Sequence, residues 1–227
     1  IEAPTQALTD YEKKALQSYI NLGGRVLLLG EDIDATNSIN TPASNIAQSL
    51  GADFTITNVG SFPWHSFQNT GAAGGNLTYV YESPLTEGIS KGFLTNGAML
   101  NASPIKTTLK PDEYTKIFGG NLYKYSGADG TGTVSFVSSD DAWCVDLQAG
   151  TRADGEKWGN ITVLSDANLW GVGINNENGS AQTTAWNQAA YKFAENLLKT
   201  SRDNRLSAAT GVNPNAKIPY QATTTTT

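Results

Sequence analysis

One cysteine, one histidine and a scatter of carboxylates are the residues of this chain best equipped for chemistry. A thiol enzyme needs its sulfur exposed on a tight strand-to-helix turn, with a base at hand to make thiolate. Cys144 sits in Ala142-Trp143-Cys144-Val145-Asp146, a stretch without glycine that reads as a strand. Free cysteine in such a setting is a small buried hydrophobe. His65 lies among Phe62, Pro63, Trp64 and Phe67, with no acid two residues later. It reads as a packing or loop contact, and no cysteine–histidine–acid triad can be assembled.

The carboxylates make a second case. Glu31, Asp32 and Asp34 follow one apolar run, and Asp166 and Asn168 follow another. In open α/β sheets, ligands gather outside the carboxyl ends of strands. Oxygens converging there suit calcium, which takes carboxylates and amides. The competing expectation is that Asp34, Asn37 and Asp166 cap loops and helices. No EF-hand spacing is present, and Asn175 to Gly179 reads as a turn. The cofactor expectation is therefore none, with calcium as the one ion the residues suit.

Trp158, in Gly155-Glu156-Lys157-Trp158-Gly159, reads as loop-borne and is the candidate for stacking on a sugar. Trp186 fits a helix core instead. Asn76, Asn160 and Asn178 each begin an Asn-X-Ser/Thr sequon and are the glycan candidates of an exported chain. Asn101 also matches, but Pro104 directly after its serine makes it the poorer site.

Several elements must position these groups. Thr9-Asp10-Tyr11-Glu12 is a capping box opening a helix, with Ala15, Leu16, Tyr19 and Ile20 as its apolar stripe and Gly23-Gly24 as its stop. Val26 to Leu29 and Ile161 to Leu164 are continuous apolar runs, as strands covered on both faces require. The spacing predicts a helix over 42–50, ended by Gly51, and a strand over 53–57. Residues 60–154 change character: short strands at 77–81, 116–118, 121–125 and 133–137 alternate with glycine turns. Asp129-Gly130-Thr131-Gly132 is a hairpin signal. A long helix is expected over 181–199, its core face made by Ala185, Trp186, Ala189, Ala190, Phe193, Ala194, Leu197 and Leu198. From Ser201 periodicity fades into Val212-Asn213-Pro214, Ile218-Pro219-Tyr220 and a run of threonines. A run of small polar residues builds no core and reads as a linker or stalk.

Composition narrows the choices. A chain of 227 residues buries enough surface to fold without staples. A formal charge of −6 and the lack of a Lys/Arg cluster argue against nucleic acid. No apolar run approaches the ~20 residues of a membrane helix. Sparse charge with abundant Gly, Asn, Ser and Thr is common outside cells.

Three segments in order resemble a known family. Ala3 to Asp10 leads into a helix, Gly23-Gly24 and Val26-Leu27-Leu28-Leu29-Gly30-Glu31; Ser83-Pro84-Leu85-Thr86-Glu87-Gly88 follows mid-chain; Ile161-Thr162-Val163-Leu164-Ser165-Asp166-Ala167-Asn168 precedes the last helix. The order resembles the class I glutamine amidotransferase-like domains of secreted bacterial and archaeal proteins, without their catalytic triad. Ser165 stands where that pattern has glycine. The resemblance implies an α/β, flavodoxin-like domain over 1–200. It has a mostly parallel central sheet flanked by helices, a β-rich insertion over about 60–154 and an extended tail over 201–227. Val26–Leu29 and Ile161–Leu164 become central strands, and an absent first strand would leave an open edge that the tail of another chain could fill. The function it implies is a noncatalytic pseudoenzyme: an extracellular or cell-surface glycoprotein that binds glycan or protein, or builds a filament or other surface assembly. Partners are other chains or glycans at the cell surface, a second copy included. The alternative is a hydrolase acting on a sugar or amide through carboxylates at the sheet's edge.

Overall fold

The computed structural model describes residues 1–2, 4–31, 38–57, 65–66, 79–89, 103–125, 134–150, 157, 159–165, 169 and 181–210. The first helix, α1, spans Asp10–Asn21 and begins as the sequence dictates. The Thr9 hydroxyl accepts from the Glu12 amide, and the Glu12 carboxylate accepts from the Thr9 amide at 2.8 Å. It ends in a Schellman turn: Gly24 N–H reaches Tyr19 O and Gly23 N–H reaches Ile20 O, with Gly23 at φ 81°. That left-handed conformation favours glycine. β1, Arg25–Leu29, leaves this turn directly.

The second helix, α2, covers Asn40–Ser49 and is followed by β2, Phe54–Ile56. β3 is His65–Ser66 and β4 is Tyr79–Val80, with a 3-10 turn at Pro84–Thr86. β5 is Ile105–Thr107. The two strand segments expected at 116–118 and 121–125 are one strand, β6, Thr115–Tyr125. β7 runs from Val134 to Ala149, joining the segment expected at 133–137 to the stretch 142–146 that also reads as a strand, and β8 is Gly159–Leu164. The last helix, α3, spans Ala181–Thr210 and so continues past Lys199 into residues expected to be tail. The segment from Asn213 to Thr227 lies outside the described residues.

The sheet corrects the expected fold class. β1 and β8 are parallel, with Val26 opposite Ile161 and Leu28 opposite Val163. β7 is antiparallel to both β8 and β6, and β5 is antiparallel to β7 and β2. The order β1-β8-β7-β5-β2, with β6 joining β7 to β3 and β4, makes one mixed, strongly curled sheet in a strand-rich chain. It is not the parallel, helix-flanked flavodoxin-like sheet. The reason lies in the middle of the chain. Parallel neighbours need long crossovers, whereas β6, β7 and β8 follow one another through short connections that reverse direction. What read as a β-rich insertion is the sheet itself. β8 is interior, while β1 ends the path, its outer side bridged at Leu29 by Glu2.

The core has two parts. On one face, Ile117, Phe118, Trp143, Cys144 and Leu164 meet Ala189, Ala190, Phe193 and Leu197 of α3. Phe118 stacks on Trp143 at 4.9 Å and meets Phe193 edge-on at 5.0 Å. On the other, Val26, Leu28, Val145, Ile161 and Val163 meet Ile20 of α1 and Ala43, Ile46 and Ala47 of α2. In β1 and at the end of β8 neighbouring residues point into different clusters, as alternation requires, whereas the adjacent pairs Ile117–Phe118 and Trp143–Cys144 share one cluster where the β6–β7 register shifts.

Candidate binding cleft and helix face

The apolar face beneath α3 gives way to polar groups at its Arg25 end. Arg25 opens β1, Asn160 and Thr162 lie on β8, and Asp146 lies near the end of β7. Register places all four on the α3 side of the sheet. Arg25 Nη1 donates to Asp146 Oδ1 and, at 2.6 Å, to Thr162 Oγ1. Thr162 Oγ1 donates to Asp146 Oδ1 at 2.6 Å, and Asn160 Nδ2 to Asp146 Oδ2 at 2.8 Å. Arg25 Nη2 reaches Thr200 Oγ1 of α3 at 3.2 Å. The ion pair is inside the fold: the Arg25 and Asp146 side chains are 6% and 13% exposed. Buried charge is tolerable only when paired and hydrogen-bonded, and each partner here is both. Arg25 Nε has no acceptor.

A cleft of about 140 Å³ adjoins this network. Leu85 and Ile117 form its apolar wall, and Ser83, Thr115 and Gln148 add polar groups. Asn196, buried on α3, holds the wall in place: its Nδ2 donates to Leu85 O at 3.0 Å and to Glu87 O at 2.9 Å.

The outward face of α3 carries a different feature. Gln188, Tyr191, Glu195, Leu198 and Arg202 recur at the three- and four-residue spacing of one helical stripe. Tyr191 is 61% and Leu198 74% exposed. Glu195, between them, pairs with Lys192 at 3.0 Å.

The residues singled out in the sequence fall elsewhere. Cys144 is fully buried in β7, and burial pushes its thiol well up, with Asp146 adding to the effect. His65 lies opposite Lys124 and Cys144 opposite Phe118, six positions or roughly 20 Å apart along β6. Glu31 follows β1 and is clamped through its backbone: Asn40 accepts from Glu31 N–H and donates to Glu31 O, both at 2.9 Å. Gly30 permits that approach, since a Cβ there would stand 2.7 Å from Asn40 Oδ1. Asp32, Asp34, Asp166, Asn168, Trp158, Asn76 and Asn178 lie outside the described residues. Asn160 does not suit a glycan. It is 5% exposed and its amide nitrogen is bonded to Asp146, which leaves a sugar no room on the folded domain. Among the described residues no three His, Cys, Asp or Glu side chains are grouped to hold a metal ion. The network around Arg25 was missed, although a lone aspartate within Trp143-Cys144-Val145-Asp146-Leu147 was a signal that a buried strand needed a cation.

No family model matches the chain, and no curated protein matches it. Among solved structures it is similar to an "mmIFT52 N-terminal domain", at 12% identity and a TM-score of 0.45, over 84% of this chain and 73% of that one. The amidotransferase-like resemblance is corrected, because the parallel sheet it implies is absent. Its three segments mark a helix stop before a buried strand, a 3-10 turn and a second buried strand, all of which a mixed sheet also uses. The secreted, cell-surface, glycoprotein, filament and pseudoenzyme readings and the hydrolase alternative joined that resemblance to composition, sequons and the threonine run. They fall with it. No helix among the described residues is long and apolar enough to cross a membrane.

Proposed function

We propose that this chain is a protein-interaction domain that docks an amphipathic helix of a different chain along the outward stripe of α3. The observation carrying this reading is the exposure of Tyr191 and Leu198, one heptad apart on one long helix. Isolated exposed apolar residues are ordinary, but an aromatic and a leucine at this spacing are the anchors of helix-on-helix recognition. Glu195 between them selects the partner. Antiparallel self-pairing that sets Tyr191 against Leu198 of a second copy brings the two Glu195 carboxylates together. Parallel self-pairing aligns like charges at Lys192 and Lys199. A different helix, with apolar residues seven apart and a basic residue between them, satisfies all three positions.

A photo-crosslinking residue placed at Leu198, with a control at exposed Tyr11, tests the reading. Crosslinks from 198 should map to one helical segment of that pattern. The reconstituted pair should separate when Tyr191 and Leu198 are both changed to glutamate. Equal crosslinking from both sites, or crosslinks to a second copy alone, would remove the proposal.

A further inference from the structure

Beyond the α3 stripe, we infer that α1 is a self-docking face, on which a second copy of this chain lays its own α1 antiparallel. Tyr11, Ala15, Ser18 and Leu22 are all exposed, and they recur at spacings of four, three and four along the helix and its C-cap. That spacing keeps them on one side. Tyr11 is 82% and Leu22 64% exposed, so a large apolar group stands at each end of the stripe with small residues between. The order of large and small, like the spacing, reads the same in both directions. A two-fold axis between Ala15 and Ser18 therefore lays the stripe on itself, as an interface between identical copies requires.

Charge selects the occupant. With Tyr11 level with Leu22 of the second copy, Ala15 stands opposite Ser18, where the small side chains let the two helices approach closely. Glu12 then runs level with Asn21 and Lys14 with Tyr19, so no like charges meet. Parallel pairing would set Lys14 against Lys14 and Glu12 against Glu12. The neutral centre also distinguishes this stripe from that of α3, where Glu195 between the anchors turns a second copy away. α1 packs through Ile20 on one face of the sheet and α3 through Phe193 on the other, so pairing through α1 leaves both α3 stripes free and does not depend on the α3 reading. One contact between helices of this length buries less than the roughly 1,200–2,000 Å² of stable complexes. The dimer thus forms in concentrated solution and dissociates in dilute solution, where Tyr11 is free to serve as the control for Leu198.

Sedimentation of the intact chain over a series from micromolar to millimolar should show a reversible monomer–dimer equilibrium. The double variant Tyr11→Lys, Leu22→Lys should weaken it at least tenfold with its melting temperature unchanged. Mixing that variant with Tyr11→Glu, Leu22→Glu should restore dimers made of one of each. A second measurement needs only small substitutions. Ala15→Cys chains mixed with Ser18→Cys chains under mild oxidation should give mainly the mixed disulfide, with buried Cys144 left out. A chain that stays monomeric throughout, a dimer that survives the lysine variant, or a mixture dominated by 15–15 and 18–18 disulfides would overturn the inference.

Discussion

Arg25 and Asp146 face each other across β8, with Thr162 of that strand hydrogen-bonded to both. The pair joins the start of β1 to the end of β7, and through Thr200 it also ties α3 to the sheet. Removing one member leaves the other charged and buried. Asp146→Asn or Arg25→Met should each lower unfolding stability by about 3–5 kcal/mol in urea titrations. The double variant Arg25→Met, Asp146→Leu should recover most of that loss, because no uncompensated charge remains. A double variant as unstable as the sum of the two singles would mean that the pair is not coupled.

Cys144 gives a pH signature. Its ordinary thiol value is 9.0, and burial raises it well above that in the folded chain. Below 9.0 the thiol is neutral in both states and the effect is absent. As pH rises above 9.0 the unfolded chain ionises first, so stability falls by up to about 1.4 kcal/mol per pH unit until the folded thiol also ionises. Cys144→Ala should show a shallower loss than the parent over the same alkaline range. Parallel curves for the two proteins would contradict the burial. Iodoacetamide should label the native thiol slowly, and rapid labelling would contradict it equally.

Ser44 closes one edge of the sheet. Phe54 and Ile56 turn backbone groups outward from β2, where an open edge invites another strand. Ser44 Oγ accepts from Ile56 N–H at 2.9 Å and donates to Asn40 O at 2.7 Å, and Thr55 Oγ1 is held by Gln48 at 3.0 Å. Ser44→Ala leaves a buried N–H without an acceptor and should cost about 1–3 kcal/mol. Ser44→Thr should cost less than alanine if the hydroxyl is what matters. Chemical denaturation of the three proteins side by side decides.

Local chemistry was legible in the sequence and global pairing was not. The capping box at Thr9 and Glu12, the stops at Gly23-Gly24 and Gly51, and the buried runs at Val26 and Ile161 are set by neighbours within a turn or two. Gly51 ends α2 with φ 94° and Ala52 N–H on Ala47 O, the same turn that ends α1. Strand direction is set by contacts far along the chain. β7 separates β8 from the rest of the sheet only because Asp146, Val145 and Cys144 pair with Thr162, Val163 and Leu164. The continuity of β7 was hidden because the polar Ser138-Ser139-Asp140-Asp141 separates two stretches that each read as a strand. Asp141 is nonetheless buried within the strand, bonded to Lys106 and to Ser138. The cleft was hidden for the same reason, since its lining comes from segments far apart in the chain, around Arg25, Ser83, Thr115, Asp146, Asn160 and Thr200.

Glu12 should govern part of the acid response. The Thr9 hydroxyl and amide hold its carboxyl below the ordinary value of 4.5. A depressed carboxyl contributes stability above 4.5 that is lost as pH falls through the folded value. Glu12→Gln should therefore weaken the chain at neutral pH and flatten the stability curve below 4.5. Equal pH dependence in the two proteins would show that the capping box does not couple to folding.

Asn196 fixes the cleft's wall to α3, and its replacement tests whether the wall is held there by hydrogen bonds or by packing. The side chain is 1% exposed, and its amide donates to Leu85 O and Glu87 O on either side of Thr86. Asn196→Leu keeps the bulk but leaves two carbonyls without that donor, which should cost about 1–3 kcal/mol. Asn196→Asp is the sharper probe. An ionised carboxylate placed against two carbonyl oxygens repels both, whereas its protonated form donates to one of them. The aspartate variant should therefore be less stable than the leucine variant at neutral pH and regain ground as pH falls below the carboxylate range. Amide exchange at Thr86 and Ile89, whose N–H groups are held by Ser83 O and Thr86 O, should accelerate in step with that loss. If the aspartate and leucine variants exchange alike at every pH, packing of Leu85 against Phe193 and its neighbours holds the wall, and the hydrogen bonds of Asn196 are incidental to it.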